Sequence, residues 1–276
     1  MTLLSSGNNI FVLETPTNMS LPHHWLTSSR ISLRIFCTMF LMGGCATPYV
    51  VPTRINAPLM ERPGNTYIDV SYGTSGFSGS FAVSPMKHFA VQAAYSRDWP
   101  QSQKDVFGRI NSLSHGHVLR EVAAGCYLTP FRSDGIPVIT ELNAGVADGT
   151  VEGGDNRTID GARAKEIFVQ LNLGRRETTR TPTSDLRDTV TTGAEYGTSF
   201  RFSNWRLLDI THNGIAAPNE KQESNFLRAS AFGRWPGRVF SLELQGGVMF
   251  CVSDQSKAPR FASLYLSCGM HLYLFP

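Results

Sequence analysis

Residues 163–175 read Arg163-Ala164-Lys165-Glu166-Ile167-Phe168-Val169-Gln170-Leu171-Asn172-Leu173-Gly174-Arg175. In an extended chain successive side chains point to opposite faces. Ile167, Val169, Leu171 and Leu173 therefore share one face, and Glu166, Gln170 and Asn172 share the other. The pattern recurs in 137–149, where Val138, Leu142, Ala144 and Val146 oppose Glu141 and Asn143. It recurs again in 238–250, where Phe240, Leu242, Leu244, Val248 and Phe250 oppose Ser241, Glu243 and Gln245. Working outward, period-two segments separated by turn residues predict ten strands: 66–73, 76–84, 88–97, 116–128, 137–149, 163–175, 189–203, 224–235, 238–250 and 260–275. Most are longer than the ~5–6 residues of a typical soluble strand and reach the ~9–11 that a tilted transmembrane strand needs.

Alternation alone also suits a soluble sandwich with its apolar face inward. Connection lengths separate the two. With the hairpin Gly73-Thr74-Ser75-Gly76 facing outward, three links at the opposite end are short: Pro85–Lys87, Thr129–Ile136 and Pro236-Gly237. The link 176–188 at that end is the exception. The links after strands 3, 5 and 7 are long and polar, which is the habit of membrane barrels. Trp99, Trp205 and Trp235 fall at strand ends, where interfacial aromatic girdles would put them. The expected fold is all-β: an antiparallel up-and-down transmembrane β-barrel of about ten strands.

Composition agrees. Charged residues are 17% of 276, with a formal net charge of +3, and 25 glycines accompany 11% aromatics. That excludes a disordered charged tail and lacks the concentrated basic surface of a nucleic-acid binder. No run of ~18 apolar residues reads as a spanning helix.

The N-terminus reads as a targeting segment. Arg30 and Arg34 precede the apolar run Ile35–Met42, which ends at Gly43-Gly44-Cys45. Residues 1–44 are expected to be a signal peptide. Counting from Met19 leaves 26 residues before Cys45, within the usual ~15–30, so 1–18 are expected to precede the true start. Gly43-Gly44-Cys45 resembles a bacterial lipobox. The resemblance implies acylation of Cys45, with palmitate among the acyl groups, and Ala46 after it implies delivery to the outer membrane. Residues 45–65, proline-rich from Pro48 to Pro63, read as an extended lipidated tether, and 66–276 as the barrel. Beyond Cys37 and Cys45 only Cys126, Cys251 and Cys268 remain, too few for a disulfide framework and without zinc spacing.

Cys45, Pro52, Asn56-Ala57-Pro58-Leu59-Met60-Glu61, Gly64 and the Gly73-Thr74-Ser75-Gly76 hairpin resemble the opening of an uncharacterised family of outer-membrane β-barrel lipoproteins. The likeness continues through Phe81-Ala82-Val83-Ser84 and His88-Phe89-Ala90-Val91 and covers residues 45–95. It implies fold and place, with outer-membrane lipids and the lipoprotein-processing and barrel-assembly machineries as partners. It implies no activity.

Motifs for phosphate binding, dinucleotide binding, serine hydrolysis and zinc proteolysis are absent from the sequence. Ser114 beside His115-Gly116-His117 offers a nucleophile and two imidazoles, as a lipid hydrolase at a membrane edge would need. A solvated strand end is the plainer reading. Asp148, Glu152, Asp155 and Asp160 offer oxygen ligands for Ca²⁺, yet Arg157 and Arg163 stand among them. Asn204-Trp205-Arg206 with His212 reads as an interfacial anchor in the loop after strand 7. No catalytic residue, metal site or cofactor is expected. The main constellation is on the polar faces, where Asp69, Glu121, Glu141, Glu195, Glu243, Arg201, Arg228 and Arg234 point inward with Phe168, Phe226 and Phe232. Buried charges require partners. The expectation is a salt-bridged, closed lumen that fixes strand register. An ion path and a hydrolase are the rival readings, and a non-enzymatic surface or structural role is preferred.

Overall fold

The alternating segments form the wall of a barrel. The computed structural model describes residues 53–98, 115–133, 136–153, 161–181, 189–212, 214–217, 220–236, 240–253 and 264–274, all within the unit Gly44–Pro276. Its strands are β1 (Thr66–Gly73), β2 (Gly76–Met86), β3 (Phe89–Asp98), β4 (His115–Ser133), β5 (Ile136–Gly153), β6 (Gly161–Thr181), β7 (Thr189–His212), β8 (Ile215–Ala216), β9 (Gln222–Pro236), β10 (Ser241–Cys251) and β11 (Leu264–Leu274). β8 is a two-residue rung on the end of β7. The other ten pair antiparallel with their chain neighbours, β7 pairs with β9, and β1 pairs with β11, so the sheet closes on itself. A closed barrel has no free strand edge.

Register places the faces as the alternation requires. Ala93, Val122, Val146 and Ile167 are successive cross-strand neighbours pointing outward, with Val122 and Ile167 each 57% exposed. On β10 and β11, Leu242, Leu244, Leu266 and Met270 also face out, while Glu243, Gln245, Ser267 and His271 are buried. The apolar faces are thus outside and the charged faces inside, the inverse of a soluble sandwich.

The two ends differ. At one end the strands are joined by Lys87-His88, Asp134-Gly135, 182–188 and 237–240; at the other, most connections are longer. We call these the turn end and the loop end. The first loop-end hairpin is the exception, with only Thr74-Ser75 between β1 and β2. There Gly76 has φ +78, and a Cβ on it would approach the Arg97 carbonyl oxygen to 2.4 Å, so glycine is required on both counts.

Strands β4 to β7 run longer than alternation alone predicts. β6 continues to Thr181, which shortens the exceptional link at 176–188 to 182–188. β7 continues to His212, so Asn204-Trp205-Arg206 is strand and not loop. Trp205 points inward, 3% exposed, and packs with Leu207, Ile210 and Phe226 instead of forming a girdle. Asp209, at φ 52, marks a bulge that lets Leu207 and Ile210 both face inward, where strict alternation would split them. Of the other two tryptophans, Trp235 is half exposed and Trp99 lies outside the described residues, as does the end of the final strand predicted to reach 275.

Candidate functional site

The lumen is occupied by the chain's own Thr53–Met60. These residues have no regular secondary structure and all are buried. Part of the predicted tether is therefore not a solvent linker. It lies inside the barrel, because the inward wall offers partners for its backbone. Gln245 Nε2 donates to the Ile55 carbonyl at 3.0 Å and Gln170 Nε2 to the Asn56 carbonyl at 2.6 Å. Arg234 Nη2 donates to the Ala57 carbonyl at 2.5 Å, and Arg176 Nη2 to the Leu59 carbonyl at 3.1 Å. The Met60 amide donates to Glu141 Oε1 at 2.6 Å. The Asn56 amide group reaches Gln92 at 3.1 Å. A backbone removed from water must find such partners. The partners step along β6 from Gln170 to Arg176 and along β9 from Arg228, which reaches Thr53, to Arg234. The segment thus descends toward the turn end, where Asn65 and Ser84 pair before β1 begins.

The segment's side chains complete the wall's chemistry. Arg54 donates to both Asp69 and Glu243, and its Nε donates to Gln245 Oε1 at 3.2 Å. Leu59, at φ 52, sets its methyl groups where a Cβ on Gly174 would come within 2.5 Å, so Gly174 leaves the room that Leu59 fills. Leu59 packs with Ala57, Ile139 and Phe232, and Met60 packs with Tyr67, Ala82, Ala90 and Tyr127.

All eight lumen charges expected from the sequence are buried. All but Glu141 fall into two groups. One is a chain of alternating sign: Asp69, Arg54, Glu243, Arg234, Glu195, Arg176 and Glu61. Its Arg234–Glu243 contact is 2.5 Å, Arg234–Glu195 3.1 Å, Arg176–Glu195 2.5 Å and Arg176–Glu61 3.5 Å. The other joins Arg201 to Glu121 through two bonds of 2.6 and 2.9 Å, and Arg228 to Glu166. Arg201 and Arg228 are direct cross-strand neighbours, and each is neutralised by a carboxylate from a different strand. Glu141 takes no ion-pair partner. It accepts from Met60 and from Asn172 Nδ2 at 2.8 Å. Arg201 also stacks over Phe168 at 3.9 Å, and Arg234 lies 4.6 Å from the Phe232 ring, which gives the inward aromatics a role beside the cations.

Arg54, Glu166 and Arg176 belong to this network although the expected set of eight omits them. The signal for missing cations is in the count: five acids cannot be neutralised by three arginines. One missing arginine came from the supposed tether and the other from the exceptional link. Gln245, which alternation leaves as an ordinary lumen position, is bonded to Arg54, Ile55 and Ser230, so a cation placed there would face Arg54.

What remains of the lumen beside Arg54 is small. Two cavities of about 20 Å³ flank it, one lined by Asp69 and Ser80, the other by Ser96, Leu119 and Glu121. Each has room for roughly one water. Toward the loop end the interior turns apolar, with Leu119, Val151, Trp205, Leu207, Ile210, Phe226 and Met249 packed together.

The other sequence candidates are only partly described. Cys45, Ser114, Asp155, Arg157 and Asp160 lie outside the described residues, and His115 is described only as backbone. His117 points into the lumen, 8% exposed, and not toward the outer face. Asp148 binds Arg163 at 3.0 Å, and Glu152 is exposed. His212 pairs with Glu220 at 2.7 Å. Among the described residues no group of three His, Cys, Asp or Glu side chains is placed to hold a metal. No family model matches the chain, and no curated protein does.

Proposed function

We propose that this protein is an outer-membrane β-barrel lipoprotein, acylated at Cys45, membrane-spanning, and closed by its own N-terminal segment. Its role is non-enzymatic, at the surface or in the architecture of the membrane. The observation that carries this reading is the inverted wall: an apolar belt outside and a largely ion-paired charge network inside. In water the exposed Val122, Val146, Ile167, Val169, Phe202, Leu244 and Met270 would form an apolar surface far larger than soluble monomers tolerate. In a bilayer they face hydrocarbon, and the closed sheet presents no open strand edge there. A lumen filled by Thr53–Met60 supports a closed barrel over a pore.

Two experiments test the reading. Cys45→Ser should leave an unprocessed precursor and abolish incorporation of radiolabelled fatty acid in cells; equal labelling of the two proteins would remove the lipid anchor. The belt is tested by Leu244→Arg, which should cost roughly 2–4 kcal/mol near the midplane and deplete the heat-modifiable folded form on gels. Thr150→Arg, outward but above the belt, should fold as the parent does. Equal behaviour of the two arginine variants would refute a lipid-facing wall.

A further inference from the structure

The outward face of β2 to β5 is not evenly convex. A groove of about 590 Å³ runs across it, floored by Ala93, Ala124 and Ala144 and walled by Phe81, Val122 and Val146. Its small side chains stand beside larger ones in register: Phe81 opposite Ala93, Ala93 opposite Val122, Val91 opposite Ala124, and Ala144 opposite Val169. One outward position nearer the loop end, in a row that runs from β3 through β7 to β9, the chemistry changes completely. Tyr95, Arg120, Asp148, Lys165, Arg206 and Glu223 are successive cross-strand neighbours in a single row, all exposed. Arg206 is paired with Glu223 at 3.3 Å. Asp148 is held by Arg163 through bonds of 3.0 and 3.1 Å. Arg120 and Lys165, on either side of Asp148, have no ion-pair partner among the described residues. Around one carboxylate there are thus three cations. Arg120 and Lys165 are two strands apart, about 10 Å at the usual strand spacing.

We infer that this groove and the cationic row above it form one binding site for an anionic, phosphate-bearing lipid. One acyl chain lies along Ala93, Ala124 and Ala144, and the phosphate group is held between Arg120 and Lys165. The inference rests on the membrane-spanning reading. It adds a specific lipid site to what would otherwise be a uniform belt. The geometry favours a lipid over a soluble phosphate because the apolar groove begins at Val122, one outward position below Arg120 on β4, with Lys165 in the same row on β6, and a headgroup without chains would leave it unused. Arg offers a planar fork of donors to phosphate oxygens and Lys a mobile point charge, a suitable pair for a group whose orientation is fixed from below by its chain. Arg163 offsets the charge of Asp148, which lowers its repulsion of the phosphate. Asp148 keeps Arg163 in place and separates the two free cations.

The test uses the full-length protein in detergent, with native mass spectrometry reading lipids retained from mixtures of phosphatidylglycerol and phosphatidylcholine of identical acyl chains. Each cation near a membrane surface favours an anionic lipid by about fivefold, so two give about 25-fold. The wild type should retain one phosphatidylglycerol with that preference. Arg120→Gln with Lys165→Gln should bring the preference close to one. Ala124→Trp should abolish the tightly held lipid by filling the groove, whereas Leu244→Trp, in the same belt on another wall, should leave it intact. Glycerol phosphate in excess should not displace it. All variants are first checked for the folded form by heat-modifiable mobility. Equal retention of the two lipids by wild type, an unchanged Ala124→Trp, or displacement by glycerol phosphate would each overturn the site. A wild-type chain that does not enter bilayers at all would sink the membrane reading together with this one; a chain that enters them without headgroup preference sinks only this one.

Discussion

Arg234→Leu is expected to destabilise the barrel by about 3–5 kcal/mol, the usual cost of removing one partner from a buried ion pair. Arg234 sits between Glu195 and Glu243 and also caps the Ala57 carbonyl of the enclosed segment, so its loss weakens three contacts at once. Glu243 keeps Arg54 and Glu195 keeps Arg176, which prevents either carboxylate from being wholly stranded. That sharing limits the loss to a single pair's cost rather than two. The comparison variant is Arg206→Ala. Its partner Glu223 is more than half exposed, and surface pairs contribute only about 0–1 kcal/mol. Urea unfolding in micelles, followed by tryptophan fluorescence, measures both. A loss below about 1 kcal/mol for Arg234→Leu would mean that the lumen is hydrated enough to solvate these groups, and the alternating chain would then be no more than a contact pattern.

The wall of this barrel was legible in the sequence because alternation is a local property. Each outward Val, Ile or Leu in 163–175 is followed by an inward residue, and closure does not alter that parity. Parity failed where the backbone itself departs from it, at the Asp209 bulge, and Trp205 was misjudged because β7 continued past the expected boundary. The lumen was half legible. Its acids and three of its arginines follow from the strand faces. Arg54 does not, because nothing in the pairing of strands predicts where a non-strand segment goes. Pro58 agrees with the absence of regular secondary structure around it and is silent on whether that chain is in water. Two clues were nonetheless present: the surplus of inward carboxylates, and Ile55, Leu59 and Met60, which a solvated linker has no reason to carry.

The segment also resolves a question of size. Eight strands give an interior that wall side chains just fill, and 16–18 leave an aqueous channel. Ten strands leave a residue of space, and here Thr53–Met60 takes it up with backbone and side chains bonded on several sides. Reconstituted in a planar bilayer, the wild-type protein is therefore expected to give no stable conductance steps. Replacing Thr53–Met60 by eight Gly and Ser residues removes Arg54 and the bulk of Ile55, Leu59 and Met60. The wall then holds Asp69, Glu121, Glu141, Glu166, Glu195 and Glu243 against Arg176, Arg201, Arg228 and Arg234, an excess of two negative charges. Unitary currents should appear, and they should be cation-selective. Where the replacement lowers the yield of folded barrel, Arg54→Gln is the gentler variant: it frees Asp69 and half of Glu243 and should shift any residual current toward cations. Reproducible currents from the wild type would show that the segment does not seal the lumen. A folded replacement that stays silent would mean that the wall closes unaided, with the segment serving only to neutralise it.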